Sequence, residues 1–116
     1  MNTSSRKAKG RRLQQEIRDL LRETYKDNGL VDGDIESTIM GESGRDIKLS
    51  PLAESIIPFD VEAKNQETAS IWSWMAQAEK NTKKDRVPLV VFKRNRSKTY
   101  AVLELKDLLQ LVNKKT

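Results

Sequence analysis

Val87-Pro88-Leu89-Val90-Val91-Phe92 is an unbroken apolar run rich in β-branched residues, and it constrains the fold more than any other segment. Runs of this kind are strands buried on both faces. Such a strand needs a covering layer on each side, so a sheet packed by helices is expected. Pro88 has no N–H to donate and is tolerated because it stands near the strand start. The basic turn Lys93-Arg94-Asn95-Arg96-Ser97-Lys98 follows, and residues 99–105 return as the partner strand.

The remaining elements follow from spacing. Leu13, Ile17, Leu20 and Leu21 recur as one helical face and predict a helix over residues 9–26, ended by Asp27-Asn28-Gly29. Residues 1–8 are polar and basic and are expected to form a flexible arm. Between 30 and 66, Asp32-Gly33, Gly41, Gly44, Pro51 and Pro58 leave room only for short strands, at 34–39, 45–49 and 56–63. In the last, Ile57, Phe59, Val61 and Ala63 alternate with Pro58, Asp60, Glu62 and Lys64. The spacing predicts a second helix over 67–83, with Thr68 as the candidate cap and the stripe Ile71, Trp74, Met75 and Ala78; Trp72 lies near its edge. Both tryptophans read as core or interface residues. Leu105, Leu108, Leu109 and Val112 make a short C-terminal helix. The order α-β-β-β-α-β-β-α predicts an α/β fold, a mixed β-sheet flanked by helices, in one domain over 9–116.

The chain of 116 residues holds no cysteine and no histidine. That excludes disulfides, thiolate zinc sites, cysteine nucleophiles and every mechanism using imidazole as base or ligand. Carboxylate, lysine, hydroxyl and backbone chemistry remain. The net charge of +5 is unevenly spread. Residues 1–12 carry Arg6, Lys7, Lys9, Arg11 and Arg12 with no acid, and residues 80–98 carry eight basic residues against Asp85 alone. The rest is acidic by seven charges. Two basic arms flanking an acidic body suit a phosphate backbone, although basic tails that merely aid solubility give the same count. No segment is long and apolar enough to span a membrane, no signal peptide is expected, and the composition is that of a soluble globular protein.

The chemistry-bearing set is Asp46 with Glu62-Ala63-Lys64, sixteen residues further on. Strand alternation puts Glu62 and Lys64 on one face. Asp46 and Glu62 can then converge on a hard cation such as Mg²⁺, with Mn²⁺ as a substitute and the Ala63 carbonyl as a further oxygen donor. Lys64 can position water and stabilise developing negative charge. Read without Asp46, Glu62 and Lys64 are an ordinary same-face surface pair.

Gly44-Arg45-Asp46-Ile47, Phe59-Asp60-Val61-Glu62-Ala63-Lys64-Asn65 and Glu16 on the first helix together resemble the PD-(D/E)XK nuclease superfamily. The set is more narrowly similar to small Holliday-junction-resolvase-like and phage-type endonucleases. The resemblance spans roughly residues 7–104 and departs from the pattern in having Arg45, not proline, before Asp46. It implies a restriction-endonuclease-like core and a Mg²⁺-dependent DNA endonuclease acting on branched DNA as a two-fold dimer. It also implies that Asp46, Glu62, Ala63 and Glu16 hold metal and that Lys64 is the motif lysine. Ser43 and Arg45 are then expected to approach the scissile phosphate, and Gln77 to point toward the active site or DNA. Arg11, Arg12, Lys93, Arg94, Arg96 and Lys98 are the expected contacts to DNA. No nucleotide cofactor and no membrane are expected, and the location implied is the cytoplasm of a prokaryotic or phage-infected cell.

Competing readings are a non-catalytic nucleic-acid-binding module, a nuclease acting on non-junction DNA, and a degenerate nuclease fold serving as a protein or RNA-processing partner. Gathering Glu16, Asp46 and Glu62 near phosphates without a cation counts against a pure binding module, because like charges repel.

Overall fold

The computed structural model describes residues 3–38 and 44–114. Helix α1 spans Thr3–Thr24, so residues 3–8 extend the helix instead of forming a flexible arm. Arg6, Lys7, Ala8 and Lys9 are good helix formers and no proline interrupts them. Leu13 and Ile17 are buried with Leu21 packed on them, whereas Leu20 is exposed. With ~3.6 residues per turn, the buried arc runs from Leu13 through Ile17 and Leu21 to Gln14, and Leu20 falls outside it beyond Leu13.

The chain turns at Gly29, whose φ of +79° favours glycine, and a short 3-10 turn, Asp32–Asp34, leads into β1 (Ile35–Ser37). β1 pairs antiparallel with β2 (Ile47–Leu49), placing Ile35 opposite Leu49. Helix α2 (Pro51–Ile56) follows, in a segment whose breakers leave room only for short strands in the sequence reading. Ser50 Oγ accepts the Ala53 N–H at 3.1 Å and Pro51 takes the first helical position, where its missing N–H is no loss. Buried Ile57 closes α2, so β3 (Phe59–Asn65) starts three residues later than expected.

β3 pairs in parallel with β4 (Val87–Lys93), from Phe59 opposite Val87 to Asn65 opposite Lys93. Parallel neighbours cannot be joined by a tight turn, and helix α3 (Ile71–Asn81) makes the crossover. β5 (Tyr100–Val102) adds antiparallel to β4, with Tyr100 opposite Phe92. The three-stranded sheet is thus mixed, in the order β3-β4-β5, and β1-β2 forms its own ladder. The hairpin is tied to β3 through Asp46, whose N–H donates to the Val61 carbonyl at 3.0 Å.

One core lies between α1, α2, the hairpin and the sheet, around Leu13, Ile35, Ile57, Val61 and Val91. A second lies under α3, where Trp74 and Ala78 cover Val90. Consecutive Val90 and Val91 are therefore buried on opposite faces, as the apolar run of β4 requires. Trp72, expected in core or interface, is 90% exposed within the chain because, two residues from Trp74, it points to the opposite side of α3 from the Trp74–Ala78 stripe. Helix α4 (Leu105–Val112) turns Leu105, Leu108, Leu109 and Val112 outward.

Candidate active site

β3 is buried at Asp60, Val61 and Glu62 and surfaces at Ala63, Lys64 and Asn65. The carboxyl ends of parallel strands are where open α/β sheets place ligand crevices. A cleft of about 570 Å³ opens there against the first turns of α1, bordered by Arg6, Lys9, Gly10, Ala63, Lys64 and Asn65.

Asp46 reaches this strand from the segment before β2. Its Oδ2 accepts the Ala63 N–H at 2.6 Å, and its carbonyl accepts the Thr38 N–H at 3.0 Å and the Thr38 hydroxyl at 3.1 Å. With the N–H bond to Val61, every backbone group of Asp46 is engaged and its carboxylate has little freedom. Glu62 is 4% exposed; its Oε1 accepts Asn81 Nδ2 at 3.4 Å, and its Oε2 lies 3.9 Å from Lys64 Nζ. Lys64 Nζ also donates to Gln77 Oε1 on α3 at 2.8 Å. Alternation thus puts Glu62 and Lys64 on one face as expected, under the polar edge of α3.

Burial raises the Asp46 carboxyl above its ordinary range, against the Ala63 N–H, the Lys64 charge and hydrogen bonds from Glu62 and Gln14. Glu62 is pushed up to about 7, first by burial and then by the negative charge of Asp46, which Asn81 and Lys64 only partly offset. The pair therefore resists carrying two negative charges unaided, the condition in which a cation binds well.

Among the described residues, no group of three or more His, Cys, Asp or Glu gathers where one ion could sit. Glu16 does not join Asp46 and Glu62; its Oε2 accepts the Thr99 hydroxyl at 2.6 Å. On the helical wheel Glu16 lies beyond Leu13 on the flank away from Gln14. Gln14 takes the inner position: it is buried, its amide helps to hold the Asp46 carboxyl down, and its Oε1 is without a partner. An orphaned buried amide oxygen on a neighbour of Asp46, added to the Asp46–Glu62 pair, makes a set of hard oxygen donors that fits a Mg²⁺-type ion taking few protein ligands and keeping waters. The signal for Gln14 was a polar residue inside the buried arc. Asn81 was also missed; it stands one turn after Gln77, as Ala78 stands after Trp74.

Arg45 was expected at the scissile phosphate but is turned inward. Its Nη1 donates to Asp60 Oδ1 at 2.8 Å and to Glu54 Oε2 at 2.7 Å. Buried Asp60 also accepts from Arg86 Nε at 2.7 Å and the Lys83 N–H at 3.0 Å. Arg86 then donates to the carbonyls of Glu54, Ile57 and Phe59, closing the end of α2. Buried Asp60 needs these cations, which is why Arg45 is held there.

Ala63, expected to offer its carbonyl, meets Asp46 through its N–H. Ser43 lies outside the described residues. Arg11 and Arg12 are exposed on α1, while Arg6 and Lys9 border the cleft. Lys93 ends β4, and Arg94, Arg96 and Lys98 are exposed in the turn to β5, where Arg96 holds a left-handed φ of 64°.

Residues 5–116 match the family model described as "Phage putative PDDEXK endonuclease". No curated protein and no solved structure matches the chain.

Proposed function

The chain belongs to this phage PDDEXK endonuclease family, and we propose that it cuts branched DNA in a Mg²⁺-dependent reaction at the Asp46, Glu62 and Lys64 site. The observation that carries the proposal is the buried Asp46–Glu62 pair, fixed by the Ala63 N–H and facing Lys64 at the mouth of a basic cleft.

Asp46 and Glu62, with Gln14 Oε1, would hold the ion, and Mn²⁺ would substitute. The bound ion supplies positive charge that polarises the scissile phosphate and eases ionisation of the attacking water. The protein's own groups do the rest. Lys64, steadied by Gln77 through one of its protons, keeps others for the phosphate or the water and stabilises charge that develops there. Asn81 holds Glu62, and the Thr38 and Val61 bonds hold Asp46, so neither carboxylate must reorganise when DNA arrives. Arg6 and Lys9 offer charge to the strand on the α1 side.

The choice of branched DNA rests on the resemblance of the Gly44–Asn65 motifs to resolvase-like nucleases. Two-fold cutting would use a homodimer, for which the outward Leu105, Leu108, Leu109 and Val112 of α4 offer an apolar face. The reaction would take place in the cytoplasm of a prokaryotic or infected cell; among the described residues no helix is long and apolar enough to cross a membrane.

The test is cleavage of labelled four-way junction, flap, nicked, linear duplex and single-stranded DNA by wild type and Glu62→Gln, in Mg²⁺, Mn²⁺ or EDTA. Junction cutting that needs the metal and Glu62 is the expected result. Preferred cutting of another DNA would overturn the branched specificity. Binding without any cutting would replace the enzyme with a binding module.

A further inference from the structure

We propose that a second pocket, between α3 and the β4–β5 turn, receives an unstacked nucleobase from the DNA strand whose backbone lies in the Lys64 cleft; this rests on the nuclease reading. Trp74, Phe92 and Tyr100 line a pocket of about 260 Å³. Their rings stand in a row: Trp74 and Phe92 are 5.8 Å apart between centroids, Phe92 and Tyr100 6.1 Å. Trp74 comes from α3, while Phe92 and Tyr100 are directly opposed across β4 and β5, so the floor is built from rigid elements.

Aromatic packing alone would explain Trp74, which is 4% exposed, but not the outer end of the row, where Tyr100 is 54% exposed. Lys93 and Arg94 border it, against one acid, Glu67, whose carboxylate is engaged by the Asn95 N–H. A flat apolar ligand joined to an anion meets both features, and a base on its phosphate is such a ligand. Every base has a π-face, so such a platform accepts any of them. The pocket also adjoins the candidate active site: Gln66 and Glu67 border both it and the Lys64 cleft. Glu67 Oε2 accepts the Asn95 N–H at 2.7 Å and thereby ties the basic turn to this shared wall. A strand leaving the cleft across the end of β3 passes the aromatic row. Bases in intact duplex are stacked and cannot enter, whereas an unpaired base enters with little unstacking cost.

The test measures binding in EDTA, without cleavage. A duplex carrying one unpaired 2-aminopurine is compared with the fully paired duplex, using the full chain with Trp72→Phe so that Trp74 is the remaining tryptophan. In that background the expected result is quenching of both 2-aminopurine and Trp74 fluorescence by the bulged DNA. Tyr100→Ala is expected to weaken bulged-duplex binding by about tenfold, within the range that loss of one base–aromatic stack gives, and to leave paired-duplex binding unchanged. Tyr100→Phe should retain binding. Equal effects of Tyr100→Ala on both duplexes, no effect on either, or Trp74 quenching by free dAMP as tight as by the bulged strand would each overturn the base pocket. Should Tyr100→Ala fail to fold, absence of 2-aminopurine quenching by the Trp72→Phe protein overturns it equally. Cleavage in Mg²⁺ is scored separately. Cutting without base capture removes the pocket and keeps the nuclease, and base capture without cutting does the reverse.

Discussion

The backbone N–H of Ala63 donates to Asp46 Oδ2 at 2.6 Å, pinning a carboxylate from the β1–β2 hairpin to the strand that carries Glu62 and Lys64. A backbone donor cannot rotate away, so strand geometry holds the Asp46 carboxylate, while Asn81 and Lys64 hold that of Glu62. The pairing of these two acids therefore persists without metal, and its electrostatic strain is measurable.

That strain gives stability a pH dependence. Glu62 sits near 7 in the folded chain against 4.5 ordinarily, so the folded state holds a proton that the unfolded state releases. Stability in EDTA is therefore expected to fall as pH rises from about 4.5 to about 7 and to level off above, by up to about 3 kcal/mol. Glu62→Gln should flatten this profile in urea denaturation. An unchanged slope in the variant would assign the effect to other groups.

Cation binding should release protons, because both carboxylates must be charged to hold the ion. Mg²⁺ affinity is expected to fall about tenfold per pH unit below about 7, read by calorimetry in buffers of different ionisation enthalpy. Gln14→Ala should weaken Mg²⁺ about tenfold, and Glu16→Gln should leave it near wild type. The opposite ranking would return the first-helix role to Glu16.

Lys64→Ala is expected to lower cleavage at least about 100-fold while DNA affinity stays within about threefold, since the ammonium acts mainly on charge that develops during reaction. Single-turnover rates and filter binding separate the two quantities. A fully active Lys64→Ala protein would remove this lysine from the chemistry.

Arg86→Met should destabilise the fold by about 3–5 kcal/mol without a specific effect on DNA, because it strips buried Asp60 of a charged partner and frees the carbonyls at the end of α2. Arg45→Met should act in the same sense, as its guanidinium faces Asp60. Thermal melts and DNA binding check both. Lost DNA affinity at unchanged stability would place Arg45 at the phosphate after all.

Arg94→Ala combined with Arg96→Ala should weaken DNA binding and reduce the slope of log affinity against log salt by about 2, since each arginine removed leaves one phosphate with its counterion. Binding titrations at several salt concentrations read this directly. An unchanged slope would remove the basic turn from the interface.

The sequence carried what depends on neighbours along the chain. The doubly buried β4 followed from Val90 and Val91 lying in one apolar run, and the shared face of Glu62 and Lys64 followed from strand alternation. Both are local periodicities, independent of what packs on them. Helix α2 was equally local in its Ser50-Pro51 start, but it was hidden among proline and glycine breakers. The tertiary structure alone decided which polar residue of α1 meets Asp46, because that depends on how the helix is rotated against the sheet: Gln14 turns in and Glu16 turns to Thr99. It also decided that Arg45 serves Asp60, because a buried carboxylate recruits cations from distant segments through space, and such a demand leaves no mark in the spacing of residues along the chain.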